Sequence, residues 1–265
     1  MEIDYPETFS IDEFDEEYLW KYTDLYKLMD LIKNHKIHFA RLDHFEDGLE
    51  GLIGRELSLW AFVHGISFSE GNIDPGMSQV EQIKAITNND SMRGGWDLFK
   101  SNLQRSQFAS CWFLGKKESM AMWKIHSLSN GIALRFNAKQ FIETVIASAK
   151  RSKQKDFCRL YFGEVNYKDH WPLKRFTIFD KENIGLKKDA AYDFEKEFRF
   201  VAVIPKSTVG KHEYLKLPIG SLKSMDVKII ANPFMENWQY NVLQSLLKKH
   251  KIDEKLVKST ILINL

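Results

Sequence analysis

The stretch that decides the fold is Tyr192-Asp-Phe-Glu-Lys-Glu-Phe-Arg-Phe-Val-Ala-Val-Ile-Pro205. Aromatic and β-branched residues run from Phe198 to Ile204, which is the composition of a strand. Pro205 ends it, because proline brings no backbone donor to a ladder. Alternation places Glu195, Glu197, Arg199, Val201 and Val203 on one face, and Phe194, Phe198, Phe200, Ala202 and Ile204 on the other. Both faces are apolar after Arg199, so a central position in the sheet is expected. Two acids and an arginine then project side by side from the N-terminal end. Burying such charges is costly unless they are paired or used, so they form either a structural Glu–Arg pair or a site.

Upstream, Tyr18 to Tyr22 reads as a short strand, and Thr23 or Asp24 can cap a helix carrying Leu25, Leu28, Met29 and Ile32 at helical spacing. Lys36 to Ala40 alternates as a second strand. Phe108 to Leu114 is almost wholly apolar, hence a buried strand. Glu118 to Ser127 reads as a helix with Met120, Met122, Trp123 and His126. Gly131 to Phe136 is a strand, and Asn137 caps a helix reaching about Ala149. Phe157 to Tyr167, Tyr214 to Leu217, Val227 to Ala231 and Ser259 to Ile263 are strand-like, and Phe234 to Lys249 is an amphipathic helix. Residues 1–17 are expected to form an arm on a single α+β domain of residues 18–265. That domain has a central mixed β-sheet flanked by helices and a helical insertion at about 55–105.

The chain has 265 residues, of which 44% are hydrophobic and 13% aromatic, enough for a sizeable core. Its 38 basic and 36 acidic residues leave a net charge of +2, which gives no global argument for nucleic acid or an anionic membrane. Two cysteines, Cys111 and Cys158, build neither a disulfide framework nor a zinc cluster. The acidic start, Met1-Glu-Ile-Asp-Tyr5, lacks an apolar run, so no signal peptide is expected. No run of 18 apolar residues occurs, so no membrane span is expected and a cytoplasmic protein is the default.

The motifs resemble, from Leu19 to the C-terminus, the bacterial family called domain of unknown function 2971. They are Trp20-Lys-Tyr22, Glu46-Asp-Gly-Leu-Glu50 (where Asp47 and Glu50 fit the family pattern), Ser110-Cys-Trp112, Met122-Trp-Lys-Ile-His126, Gly131 to Phe136, and Glu195-Lys-Glu-Phe-Arg199. Lys187 or Lys188 fits the lysine found before that last strand.

The order of motifs is also similar to that of ADP-ribosyltransferases, which cleave NAD. That resemblance implies an NAD-dependent transferase or NAD glycohydrolase, such as a toxin or phage-defence effector acting on an acceptor macromolecule. It implies Glu197 as the catalytic carboxylate and Lys21 and Tyr22 at the dinucleotide. Ser110 would back the nicotinamide ribose, Trp123 and His126 would line the pocket, with His126 available for acid–base work, and Arg199 would hold Glu197 or contact phosphate. The chemistry is coherent, because a carboxylate stabilises the oxocarbenium charge that develops as nicotinamide leaves.

Two other classes compete. One is a non-enzymatic nucleotide-sensing or protein-interaction module of a defence system. The other is a metal-dependent phosphodiesterase built from Asp43, Asp47, Glu50, Glu195 and Glu197. The spacing of the acidic 43–50 segment matches no standard metal loop, so no metal site is assigned from the sequence.

Overall fold

The structure is a computed structural model and describes residues 2–5, 10–45, 101–127, 130–151, 156–168 and 183–262. Its strands are β1 (Glu2–Asp4), β2 (Tyr18–Thr23), β3 (Lys36–Arg41), β4 (Gln107–Leu114), β5 (Ile132–Asn137), β6 (Arg159–Glu164), β7 (Asn166–Lys168), β8 (Lys187–Asp189), β9 (Glu197–Val203), β10 (Tyr214–Pro218), β11 (Val227–Ala231) and β12 (Leu256–Lys258). Its helices are α1 (Leu25–Asn34), α2 (Met120–His126), α3 (Ala138–Arg151) and α4 (Asn237–Lys249). The chain is a single α+β domain. Ten of the described strands form one mixed sheet, and β7 and β8 pair separately. Of the expected insertion at 55–105, only residues 101–105 are described, and they are helical.

β9 is central, between β4 and β6 and antiparallel to both. The path runs β1-β6-β9-β4-β2-β5-β11-β12. It forks at β4. β2 meets β4 only at Leu19–Leu114 and Trp20–Phe113, whereas β3 meets it at Ala40–Ala109 and Arg41–Phe108. The β4 edge between Ser110 and Trp112 therefore faces a slit between two diverging strands. β10 extends the branch by pairing with β3.

Local chemistry explains the elements. Asp24 accepts from the Lys27 backbone nitrogen and starts α1. Asn137 does the same for α3 through Gln140. Alternation delivers Phe198, Phe200 and Ala202 of β9 into the main core with Phe108, Trp112, Phe136 and the buried sides of α1, α3 and α4. Each such aromatic contributes roughly 1.5–3 kcal/mol by leaving water. The opposite face carries two smaller apolar clusters, one around Tyr22 and Trp123 and one around Leu42, Tyr161 and Val201.

Four expectations are corrected. The segment Ala190–Glu195 is a 3-10 turn, not strand, and β9 begins at Glu197. Phe194 is consequently 42% exposed, because it lies in the turn rather than on the core face. Among the described residues the last strand is Leu256–Lys258, because the chain pairs in parallel with β11 before Ser259, and residues 259–262 of the expected strand lie outside the sheet. Residues 1–17 are also more than an arm, since β1 is an edge strand beside β6 and Phe14 enters the core.

Candidate functional site

The site begins at Lys196, which closes the 3-10 turn with a left-handed backbone (φ 41°). That kink brings Glu195 alongside Glu197, so the two acids share a face although only one lies in the strand. β8 presents Lys188 to them between its less buried neighbours Lys187 and Asp189. Lys188 Nζ donates to Glu195 Oε2 and to Glu197 Oε1, the latter at 2.8 Å. Arg199, two residues along the same face, donates Nε to Glu197 Oε2 (2.7 Å) and Nη2 to Glu197 Oε1 (2.9 Å). Its Nη1 reaches the Gly185 carbonyl at 3.0 Å. Arg199 is fully buried, and Glu195, Glu197 and Lys188 are 7, 6 and 8% exposed.

Paired this tightly, the two acids titrate in opposite directions. Burial pushes the Glu195 carboxyl up, and its hydrogen bond to Glu197 pushes it further, to about 7. Burial would raise Glu197 too, but the Arg199 guanidinium, aided by Lys188, holds it well below the usual carboxylate range. Burial works against the Lys188 ammonium, and the Glu197 charge nevertheless raises it. The resting site is an ionised Glu197 between two cations, beside a Glu195 that carries a proton near neutrality.

Above these charges lies a hollow of about 280 Å³. Trp20, Tyr22, Phe45 and Tyr192 give it aromatic walls, Lys188, Glu195 and Glu197 a charged side, and Met122, His44 and His126 a rim. Tyr22 is fixed by accepting from the Ser119 backbone nitrogen (2.8 Å), and Ser119 in turn caps α2 by accepting from Met122. Cys111 stands opposite Arg199 in the β4–β9 register and lines the hollow. Burial pushes its thiol pKa well up, so it is not a thiolate. Lys21 leaves β2 on the side opposite Trp20 and Tyr22. It reaches the hollow through the slit, where its Nζ donates to the Cys111 carbonyl at 2.7 Å.

The structure thus brings Lys21, Tyr22, His126, Glu195 and Glu197 to one hollow, with Arg199 directly beneath. Three assignments change. Ser110 points into the main core and accepts from Trp112 Nε1 (3.1 Å), because alternation sends its neighbour Cys111 to the site instead. Trp123 is buried behind Tyr22, ring centroids 4.9 Å apart, and its Nε1 donates to Glu118. The helical phase puts Met122 and His126 on the hollow in its place. Lys188, not Lys187, is the buried lysine, since alternation in β8 allows only one of the two inward. Asp47 and Glu50 lie outside the described residues. Asp43 accepts from Arg41 Nε, and Arg41 Nη2 donates to His44 Nε2 (2.8 Å). Among the described residues, no group of three His, Cys, Asp or Glu side chains could hold a metal ion.

The sequence pattern left Lys187 and Lys188 undecided and gave no site role to Cys111, Trp20 or Tyr192. Cys111 was accessible from strand alternation, while Lys188, Trp20 and Tyr192 depended on where distant elements pack.

No family model matches this chain, and no curated protein or solved structure matches it. No helix among the described residues is long and apolar enough to cross a membrane.

Proposed function

We propose that the hollow binds the nicotinamide–ribose end of NAD and that the chain is an ADP-ribosyltransferase-like protein acting on it. The observation that carries this reading is the adjacency of β2, β4 and β9, which sets Lys21, Cys111 and Glu197 across three neighbouring strands under one aromatic-walled hollow. In this reading the nicotinamide ring stacks against Tyr22 or Tyr192. Glu197, kept ionised by Arg199, faces the ribose carbon as the glycosidic C–N bond breaks and nicotinamide departs with the bonding pair. Glu195, protonated near neutrality, hydrogen-bonds a ribose hydroxyl, Lys21 donates an N–H toward the pyrophosphate, and the Lys188 charge favours it. Titration calorimetry with NAD, together with chromatographic detection of nicotinamide, tests it on the wild type and on Glu197→Gln. The wild type should bind and release nicotinamide. The variant, checked for folding by circular dichroism, should bind and release none. A wild type that does neither overturns the reading.

One observation favours a second reading, a nucleotide-sensing module without chemistry. Glu197 already accepts three hydrogen bonds from Lys188 and Arg199, and a carboxylate so neutralised stabilises a developing cation weakly. NAD binding with no nicotinamide release from the wild type would select it.

A further inference from the structure

The cations around the hollow are compensated unequally. Lys188 and Arg199 each donate to carboxylates. Lys21 forms no ion pair among the described residues. Its Nζ makes one hydrogen bond, to the Cys111 carbonyl, and lies 5.7 Å from the centroid of the Trp112 ring. Lys21 is only partly exposed, and an ammonium so placed with no carboxylate partner among the described residues is disfavoured against the neutral amine. Burial lowers its pKa, against the opposing charge of Glu197 and with help from Lys27 on α1. Lys188, Glu195, His44, His126, Tyr22 and Tyr192 are the remaining titratable groups around the hollow. A neutral amine giving one N–H to a carbonyl keeps its lone pair for another partner, and such desolvated lysines are the ones that react with carbonyl compounds.

We infer that Lys21 is a nucleophile that condenses with an aldehyde or ketone ligand held in the hollow. The nitrogen lone pair attacks the carbonyl carbon, a C–N bond forms, and the π electrons move to oxygen. The two amine hydrogens pass to that oxygen, with the carboxyl of Glu195 available as a relay. Oxygen leaves as water and a C=N bond remains. No electron donor or acceptor is required. The aromatic walls suit an aldehyde on an apolar or aromatic body. This inference goes beyond the NAD reading and does not rest on it, since NAD binding is measured separately on the same protein and either can fail alone.

The test uses benzaldehyde with cyanoborohydride on the full chain at neutral pH, followed by peptide mass spectrometry. Each unit of pKa depression leaves about tenfold more free amine. Lys21 should therefore acquire the benzyl adduct about tenfold faster than Lys116, which is exposed but whose pKa is raised by Glu16. Its rate should level off at a lower pH than that of Lys116. Lys21→Arg, which keeps a donor for the Cys111 carbonyl but has no amine to condense, should abolish that adduct and spare the others. Labelling of Lys21 only after urea unfolding, or at the rate and pH profile of the surface lysines, overturns the inference. So does calorimetric binding of inorganic phosphate that Lys21→Gln removes, in a protein whose Lys21 takes no aldehyde.

Discussion

The two faces of β9 are buried to the same degree by opposite means. On one, Phe198 and Phe200 meet each other (5.4 Å between centroids) and the rings of Phe162 and Phe141. On the other, Glu197 and Arg199 lie under Lys188 and Glu195, before Val201 and Val203 resume an apolar pattern. The apolar face depends on area and shape, so it tolerates a substitute of similar volume. The charged face depends on complete pairing, so losing one member exposes another to an environment it cannot survive uncompensated. The hollow opens above the charged face, where polar groups are already held in place at high cost in stability.

The sharpest break of this contrast is Arg199→Met against Phe200→Leu. Removing the guanidinium should destabilise by about 3–5 kcal/mol, because Glu197 is left buried with one cation fewer. Phe200→Leu should cost about 1.5 kcal/mol or less. Urea unfolding measures both, and equal costs would erase the distinction between the faces.

The pH dependence sharpens it next. The raised pKa of Glu195 stabilises the fold below the ordinary glutamate range, and this contribution disappears as pH rises through about 7. The depressed pKa of Glu197 works the other way, contributing above the ordinary range and vanishing only in more acid solution. Between about pH 5 and 8 the Glu195 effect dominates, so stability should fall with rising pH by roughly 2 kcal/mol. A thermal melt series reads this, and Glu195→Gln should flatten it. A wild-type Tm that rises over this window would contradict the assignment.

Ser110→Ala tests the reassigned core residue. It removes the acceptor of a buried indole N–H and should cost about 1–3 kcal/mol while leaving NAD binding unchanged. Loss of binding with unchanged stability would return Ser110 to the site. The smallest effect belongs to Phe194→Ala, expected within about 0.5 kcal/mol because the ring is largely in solvent. A core-sized loss there would mean that the strand continues upstream of Glu197.

Much of this was legible in the residues. The run Phe198 to Ile204 marked the central strand, and period two placed Glu197 and Arg199 together, whereas Glu195 joins them through the Lys196 kink. The capping residues Asp24 and Asn137 announced their helices. Ser110 misled because the resemblance to transferases put it at the ribose, although by alternation Ala109 and Cys111 share the site's face of β4. The choice between Lys187 and Lys188 required knowing that the segment pairs with β7. Trp123 and Tyr192 could not be placed without tertiary contacts, since helical spacing does not say which side of a helix meets a cavity.

By itself the amino-acid sequence determined the elements and the faces of each strand, because chain sterics and side-chain period act within a few residues. Only the tertiary structure decided that β2 and β3 diverge along one edge of β4, that Lys21 enters the slit between them, and that Lys188 arrives to join two acids. Those outcomes depend on pairings between segments up to 90 residues apart, such as Lys21 with Cys111. Such pairings are selected by the joint burial of the whole sheet and leave no local mark in the sequence.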